Sequence, residues 1–147
     1  MGVIRPVYTE EDAEEVSTNQ QEPCWSIDMD WFEANNRSLT ALVRGSLCAK
    51  CRKQLDSEGK SSSLDDLLAA IRGCCSTEPA YISSELPIME SVFRLFLANG
   101  NQPLDLIELG RQLSERRGVD TYRTSVEILS RLLKNDRYYG LRPVVKP

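Results

Sequence analysis

The sequence predicts a mainly α-helical protein in two parts, and three observations carry that expectation. From Ser26 to Lys134, apolar residues recur at helical spacing between polar and glycine stops. All five cysteines fall between residues 24 and 75, and the chain has no histidine. A β-prone stretch around a central glycine, Tyr138 to Val145, follows the last helical segment. The expected organisation is a disordered acidic tail over 1–22, a Cys-rich helical module over 23–80, and a second helical module over 81–147.

Residues 1–22 hold Glu10, Glu11, Asp12, Glu14 and Glu15 and almost no large apolar side chain after Tyr8. Such a segment cannot bury enough surface to offset its ordering entropy. Beyond Pro23, Ser26 or Asp28 can cap a short helix carrying Trp31 and Phe32 and ending near Asn35-Asn36. Ser38 opens a second helix with Leu39, Leu42 and Val43 on one face, which Gly45 stops. The run from Asp56 to Ser62 reads as a surface loop. Ser63 and Asp66 resemble a capping box for a helix whose Leu64, Leu67, Leu68 and Ile71 share a face, ended by Gly73.

The second module starts at Leu86-Pro87. Ile88, Met89, Val92, Phe93, Phe96 and Leu97 then form a broad stripe, with Asn99-Gly100 as the stop. Pro103-Leu104 is extended, and Asp105 caps a helix with Leu106, Leu109 and Leu113 that Gly118 ends. Thr124-Ser125-Val126-Glu127 caps a third helix, with Val126, Leu129, Leu132 and Leu133 inward. A strand or short hairpin closes this order: helix, extended link, helix, helix, strand. That is the order of a winged helix-turn-helix. The full expectation is therefore a small metal-stapled helical module followed by a winged helix-turn-helix with a short β hairpin.

The totals bound what such a chain can be. A length of 147 residues with 41% hydrophobic content suits one domain or two very small ones. No stretch approaches the roughly 20 apolar residues of a membrane span. No basic start leads into an apolar core, so no signal peptide is read and a cytoplasmic location is expected. In that compartment thiols stay reduced, and clustered cysteines mean metal more often than bridges. Charge is uneven. Residues 1–80 hold 8 Lys/Arg against 14 Asp/Glu (−6), and residues 81–147 hold 10 against 8 (+2). Residues 111–147 alone hold 9 against 4 (+5), a balance that permits contact with nucleic acid.

Cys48-Ala49-Lys50-Cys51 is a Cys-x-x-Cys knuckle, with Cys24 24 residues before it and Cys74-Cys75 beginning 23 residues after it. Zinc takes four thiolates in a tetrahedron at about 2.3 Å each, and the knuckle turn lets two sulfurs converge on one ion. Cys24, Cys48, Cys51 and Cys75 are the expected ligands. Cys74 is the alternative to Cys75, because neighbouring side chains diverge. Four thiolates around Zn²⁺ leave a net −2, which Lys50, Arg52 and Lys53 would offset. The same set could hold an iron–sulfur cluster. A thioredoxin-type role lacks the alternating strand–helix pattern around Cys48. Trp25 and Trp31, close to Cys24, suit either ligand stacking or core packing.

In a winged helix the third helix enters the major groove. Its outward residues here are Arg131, Lys134 and Ser130, with Arg123 at its start and Arg137 and Arg142 beside the wing. These arginines and the lysine are candidate nucleic-acid contacts through phosphates. Residues 87–145 resemble the HARE-type winged helix, the family that includes the amino-terminal domain of the RNA polymerase delta subunit. The likeness rests on Ile88 to Leu97, Gly100-Asn101-Gln102-Pro103-Leu104, Glu108-Leu109, Thr124-Ser125, Leu129 to Asp136 and the aromatic closing strand. It implies a transcription- or DNA-associated role, with DNA or a transcription-machinery protein as partner. The chain departs from the delta subunit in adding a cysteine module and in lacking a long acidic C-terminal tail. No catalytic residues are expected, because histidine is missing and neither a glycine-rich phosphate loop nor a Ser/Lys pair stands in a recognisable setting. The expectation is a non-enzymatic regulator. Its rivals are a protein-interaction adaptor and an iron–sulfur redox sensor.

Overall fold

Short polar side chains set most helix starts. The structure, a computed structural model, describes residues 23–58, 63–118 and 123–144. Its elements run β1 (Cys24–Ile27), α1 (Met29–Ala34), α2 (Leu39–Gly45), α3 (Ala49–Ser57) and α4 (Leu64–Gly73). Two 3₁₀ turns (Cys75–Thr77 and Pro79–Tyr81), α5 (Ile88–Ala98), α6 (Leu106–Arg117), α7 (Val126–Lys134) and β2 (Leu141–Val144) follow. The fold is mainly helical with a small antiparallel sheet. Asp28, Ser38, Ser63, Asp105 and Ser125 each accept a first-turn N–H, from Asp30, Ala41, Asp66, Glu108 and Ile128 respectively. Each bond satisfies a donor the helix leaves free, which made Ser38, Ser63 and Asp105 legible and decides for Asp28 over Ser26. The acidic 1–22 segment, residues 59–62 and Val145 lie outside the described residues.

Two elements differ from expectation. The knuckle opens a helix: α3 runs from Ala49 through Ser57, where a loop was expected from Asp56 onward. The closing strand does not fold onto a local hairpin within the described residues. β2 pairs instead with β1, in the register Cys24↔Val144, Trp25↔Pro143, Ser26↔Arg142 and Ile27↔Leu141. On its other edge, β1 meets Leu104 through paired backbone bonds, Trp25 N–H to Leu104 O at 2.8 Å and Leu104 N–H to Trp25 O at 3.0 Å. This explains how Pro143 sits in a strand. Trp25 spends both backbone groups on Leu104, so the N–H that proline lacks has no partner to lose. Asn101 finishes the edge, its amide accepting from Ile27 N–H and donating to Ile27 O, both at 2.8 Å.

The segments expected as two modules share one core. Phe32, Val43, Leu67 and Ile71 join Phe93, Phe96, Leu109, Leu113, Leu129, Leu133 and Leu141 in a single buried cluster. Helix α5 lies at its centre, packed against α4, α6 and β1. Val92, Phe93, Leu95, Phe96 and Leu97 are all buried, as an apolar-all-round helix requires. Two buried polar groups tie the connections down. Arg117 donates to the Ser83, Ser84 and Leu86 carbonyls and to Ser91 Oγ. Asp136 accepts from the N–H groups of Tyr138, Tyr139 and Leu141, which fixes the turn between α7 and β2.

Gly110 lets α6 and the start of α7 approach. A Cβ there would lie 2.5 Å from the Thr124 carbonyl oxygen. Alanine is the better helix former by about 1 kcal/mol, but overpacking a rigid backbone contact costs about 1–3 kcal/mol. Gly110→Ala should therefore lower stability in urea melts. A stabilised variant would show that α6 and α7 do not touch at this point.

Candidate metal centre

Helix α3 begins at the knuckle because Cys48 is its N-cap and Cys51 falls in its first turn. Helix α4 ends at the cysteine pair: Cys74 is its C-cap and Cys75 opens the following 3₁₀ turn. Packing of α2 against α4 brings the two corners together. The Sγ atoms of Cys48, Cys51 and Cys75 lie within 4.8 Å of one another. Cys75 Sγ is 3.5 Å from Cys48 Sγ and accepts the Cys48 backbone N–H at 3.2 Å. Cys74 joins this cluster and acts on both Cys48 and Cys51 as a hydrogen-bonding neighbour. Adjacent cysteines can both face the knuckle because the chain breaks out of helix at Cys74 (φ −138°, ψ −64°).

Cys24, the expected fourth ligand, is not part of the cluster. Sheet pairing with Val144 holds it in β1, where it is buried as a small apolar side chain. The cysteines brought together are thus Cys48, Cys51, Cys75 and Cys74, the last having been considered only as a substitute for Cys75. The strand that claims Cys24 leaves no local mark in the sequence, since its partners are 80 and 120 residues away at Leu104 and Val144.

The spacing fits a single ion. Four ligands at about 2.3 Å in a tetrahedron place sulfurs about 3.8 Å apart, close to the 3.5 Å between Cys75 and Cys48 and compatible with the spread of the Cys48, Cys51 and Cys75 sulfurs. The electrostatics show what such a site needs. Cys48 is lowered to about 7, chiefly by the Cys51 backbone N–H, an electrostatic influence rather than a formed cap bond. Burial pushes the Cys51 and Cys75 thiols up. With burial opposing ionisation at two of the thiols, a cation is the natural counter-charge for a set of thiolates.

Lys50, Arg52 and Lys53 are exposed beside the knuckle as expected. Arg52 turns back to cap α2, donating to the Arg44 and Gly45 carbonyls. A second set of cations, not anticipated from local spacing, stands nearby. Arg116 of α6 donates to the Ser76 carbonyl at 2.9 Å, next to Cys75. Arg94 and Arg116 lie 5.5 and 5.8 Å from the Tyr81 ring centroid. Tyr81 itself is buried, and its hydroxyl donates to Arg94 O at 2.7 Å. These contacts connect the cysteine turn to α5 and α6.

Of the candidate nucleic-acid contacts, Arg123, Arg131, Lys134 and Arg137 are exposed and Arg142 is half-buried. Trp25 is buried in the sheet, while Trp31 is half-buried against Phe32. Among the described residues, no helix is long and apolar enough to cross a membrane. No family model matches the chain, and neither a curated protein nor a solved structure matches it.

The ligand set is testable directly. After incubation of the reduced protein with zinc, a cluster that holds the ion without Cys24 should leave Cys24→Ser with as much bound zinc as the unsubstituted protein in elemental analysis. Cys51→Ser and Cys74→Ser should each weaken zinc binding by more than the about 10–100-fold that outer-shell changes cost. Full retention by Cys74→Ser together with loss by Cys24→Ser would restore the original ligand set.

Proposed function

We propose that this chain is a non-enzymatic, transcription-associated regulator. In this reading a structural zinc held by Cys48, Cys51, Cys74 and Cys75 staples α3 to the end of α4. Residues 88–144 act as a winged helix-turn-helix that docks on DNA. The close sulfur spacing supports one ion over an iron–sulfur cluster, because several irons need their cysteine sulfurs further apart than one ion does. Four protein ligands leave no open position for a substrate, which suits a structural role. A cytoplasmic setting accords with five free thiols.

The observation that carries the docking reading is α7. Leu129 and Leu133 are buried, while Arg131 and Lys134 are exposed on the other side of the same helix. The elements around it follow the order α5, an extended Leu104, α6, α7 and β2. In the sheet, β1 takes the place between Leu104 and β2 that a wing strand would fill. A third helix with an apolar inner face and cations outward is the arrangement that sets side chains against phosphates and base edges.

Fluorescence anisotropy with a labelled duplex across a salt series tests this. Binding should weaken steeply as salt rises. Arg131→Ala combined with Lys134→Ala should lower affinity and flatten the log–log salt slope by about 2, at about 0.9 per phosphate contact. An unchanged melting temperature would show that the fold survives. Absence of duplex binding by the wild-type protein would leave the adaptor reading in its place.

A further inference from the structure

The turn after α7 faces the connection between α1 and α2 across a cleft. It encloses about 520 Å³ and is lined by Trp31, Asn35, Asn36, Arg37, Arg137 and Arg142. The lining carries three positive charges and no negative one. Each guanidinium is held differently. Arg142 Nη1 donates to the Leu141 and Asp136 carbonyls at 2.7 and 3.1 Å, and its guanidinium lies 5.1 Å from the Trp31 ring centroid. Arg37 stacks on the Tyr138 ring at 3.9 Å, and its Nε is buried with no hydrogen-bond partner. Arg137 is exposed and makes neither a hydrogen bond nor an ion pair among the described residues. The carboxylate nearest Arg142 is that of Asp136, at 3.7 Å, and its oxygens already accept backbone N–H groups of the turn.

Arg142 is ion-paired with Asp136, so Arg37 and Arg137 are the like charges at the cleft that repel, and an anion relieves that cost. Planar guanidinium forks fit tetrahedral oxyanions through paired N–H groups, and the neighbouring rings of Tyr138 and Trp31 help to orient two of these forks. The cleft is also continuous in sequence with the cationic face of α7, since Arg131, Lys134, Arg137 and Arg142 follow one another through the turn. That continuity selects a polymer of phosphates over an isolated anion. We propose that the cleft between Arg37, Arg137 and Arg142 binds a backbone phosphate of nucleic acid. The inference rests on the DNA-docking reading above and extends the contact surface to Arg37, from the cysteine-bearing half of the chain.

The test uses the full chain and a labelled duplex of about 20 bp, with two cleft variants. Arg37→Ala with Arg137→Ala removes two guanidinium groups. Arg137→Glu reverses one charge at a residue with no hydrogen-bond or ion-pair partner among the described residues. Both should weaken binding about tenfold or more and flatten the salt slope by about 1–2, with an unchanged circular dichroism spectrum. If the wild-type protein binds and both variants bind equally well, the cleft assignment is overturned while the docking reading stands. A parallel arm titrates inorganic pyrophosphate and follows the arginine Nε–H signals by NMR. Shifts at Arg37, Arg137 and Arg142 without duplex binding would overturn the nucleic-acid source and the docking reading, leaving a small phosphoryl ligand. No shift and no duplex binding would overturn both.

Discussion

Thiol groups from two helix ends meet at one point, and the arrangement of the amino-terminal half follows from that meeting. Helices α1 to α4 are 6 to 10 residues long, too short to be stable in isolation. The start of α3 and the end of α4 must nonetheless hold their sulfurs within 4.8 Å. Burial favours the neutral thiols of Cys51 and Cys75, so the same closeness that would serve a metal is costly once the sulfurs ionise. An ion that binds the thiolates offsets that cost and gives the short helices a fixed corner.

The corner is not isolated from the rest of the molecule. Arg116 reaches the Ser76 carbonyl from α6, and Tyr81 and Arg94 exchange hydrogen bonds between the 3₁₀ turn and α5. Strand β1 adds a second tie, because its backbone joins residues 24–27 to both Leu104 and β2. Disturbing the cysteine corner should therefore be felt through the shared core by the helices proposed to dock on DNA. Arg37 and Trp31, which belong to the amino-terminal half, stand beside Arg142 of β2 for the same reason.

Legibility in the sequence tracked the range of the interaction. Capping side chains act within three residues, so Ser38, Ser63 and Asp105 announced their helices, while the choice of Asp28 over Ser26 and of Ser125 within Thr124–Glu127 came from the structure. The knuckle was legible for the same reason. Cys24, expected among the ligands, lies outside the cluster because its position depends on Val144 and Leu104, and pairing at that distance leaves no periodic trace. Cys74 was undervalued on the ground that neighbours diverge, a rule that fails where the backbone leaves the helix between them. Arg37 carried no local signal, since only the tertiary approach of the α1–α2 connection to the turn at Arg137 gives it meaning.

Zinc K-edge X-ray absorption on the zinc-loaded protein tests the sulfur corner most directly. The account predicts a first shell of four sulfurs at about 2.3 Å, with no light-atom ligand. A shell containing nitrogen or oxygen, or a protein that takes up no zinc while its thiols are reduced, would contradict it.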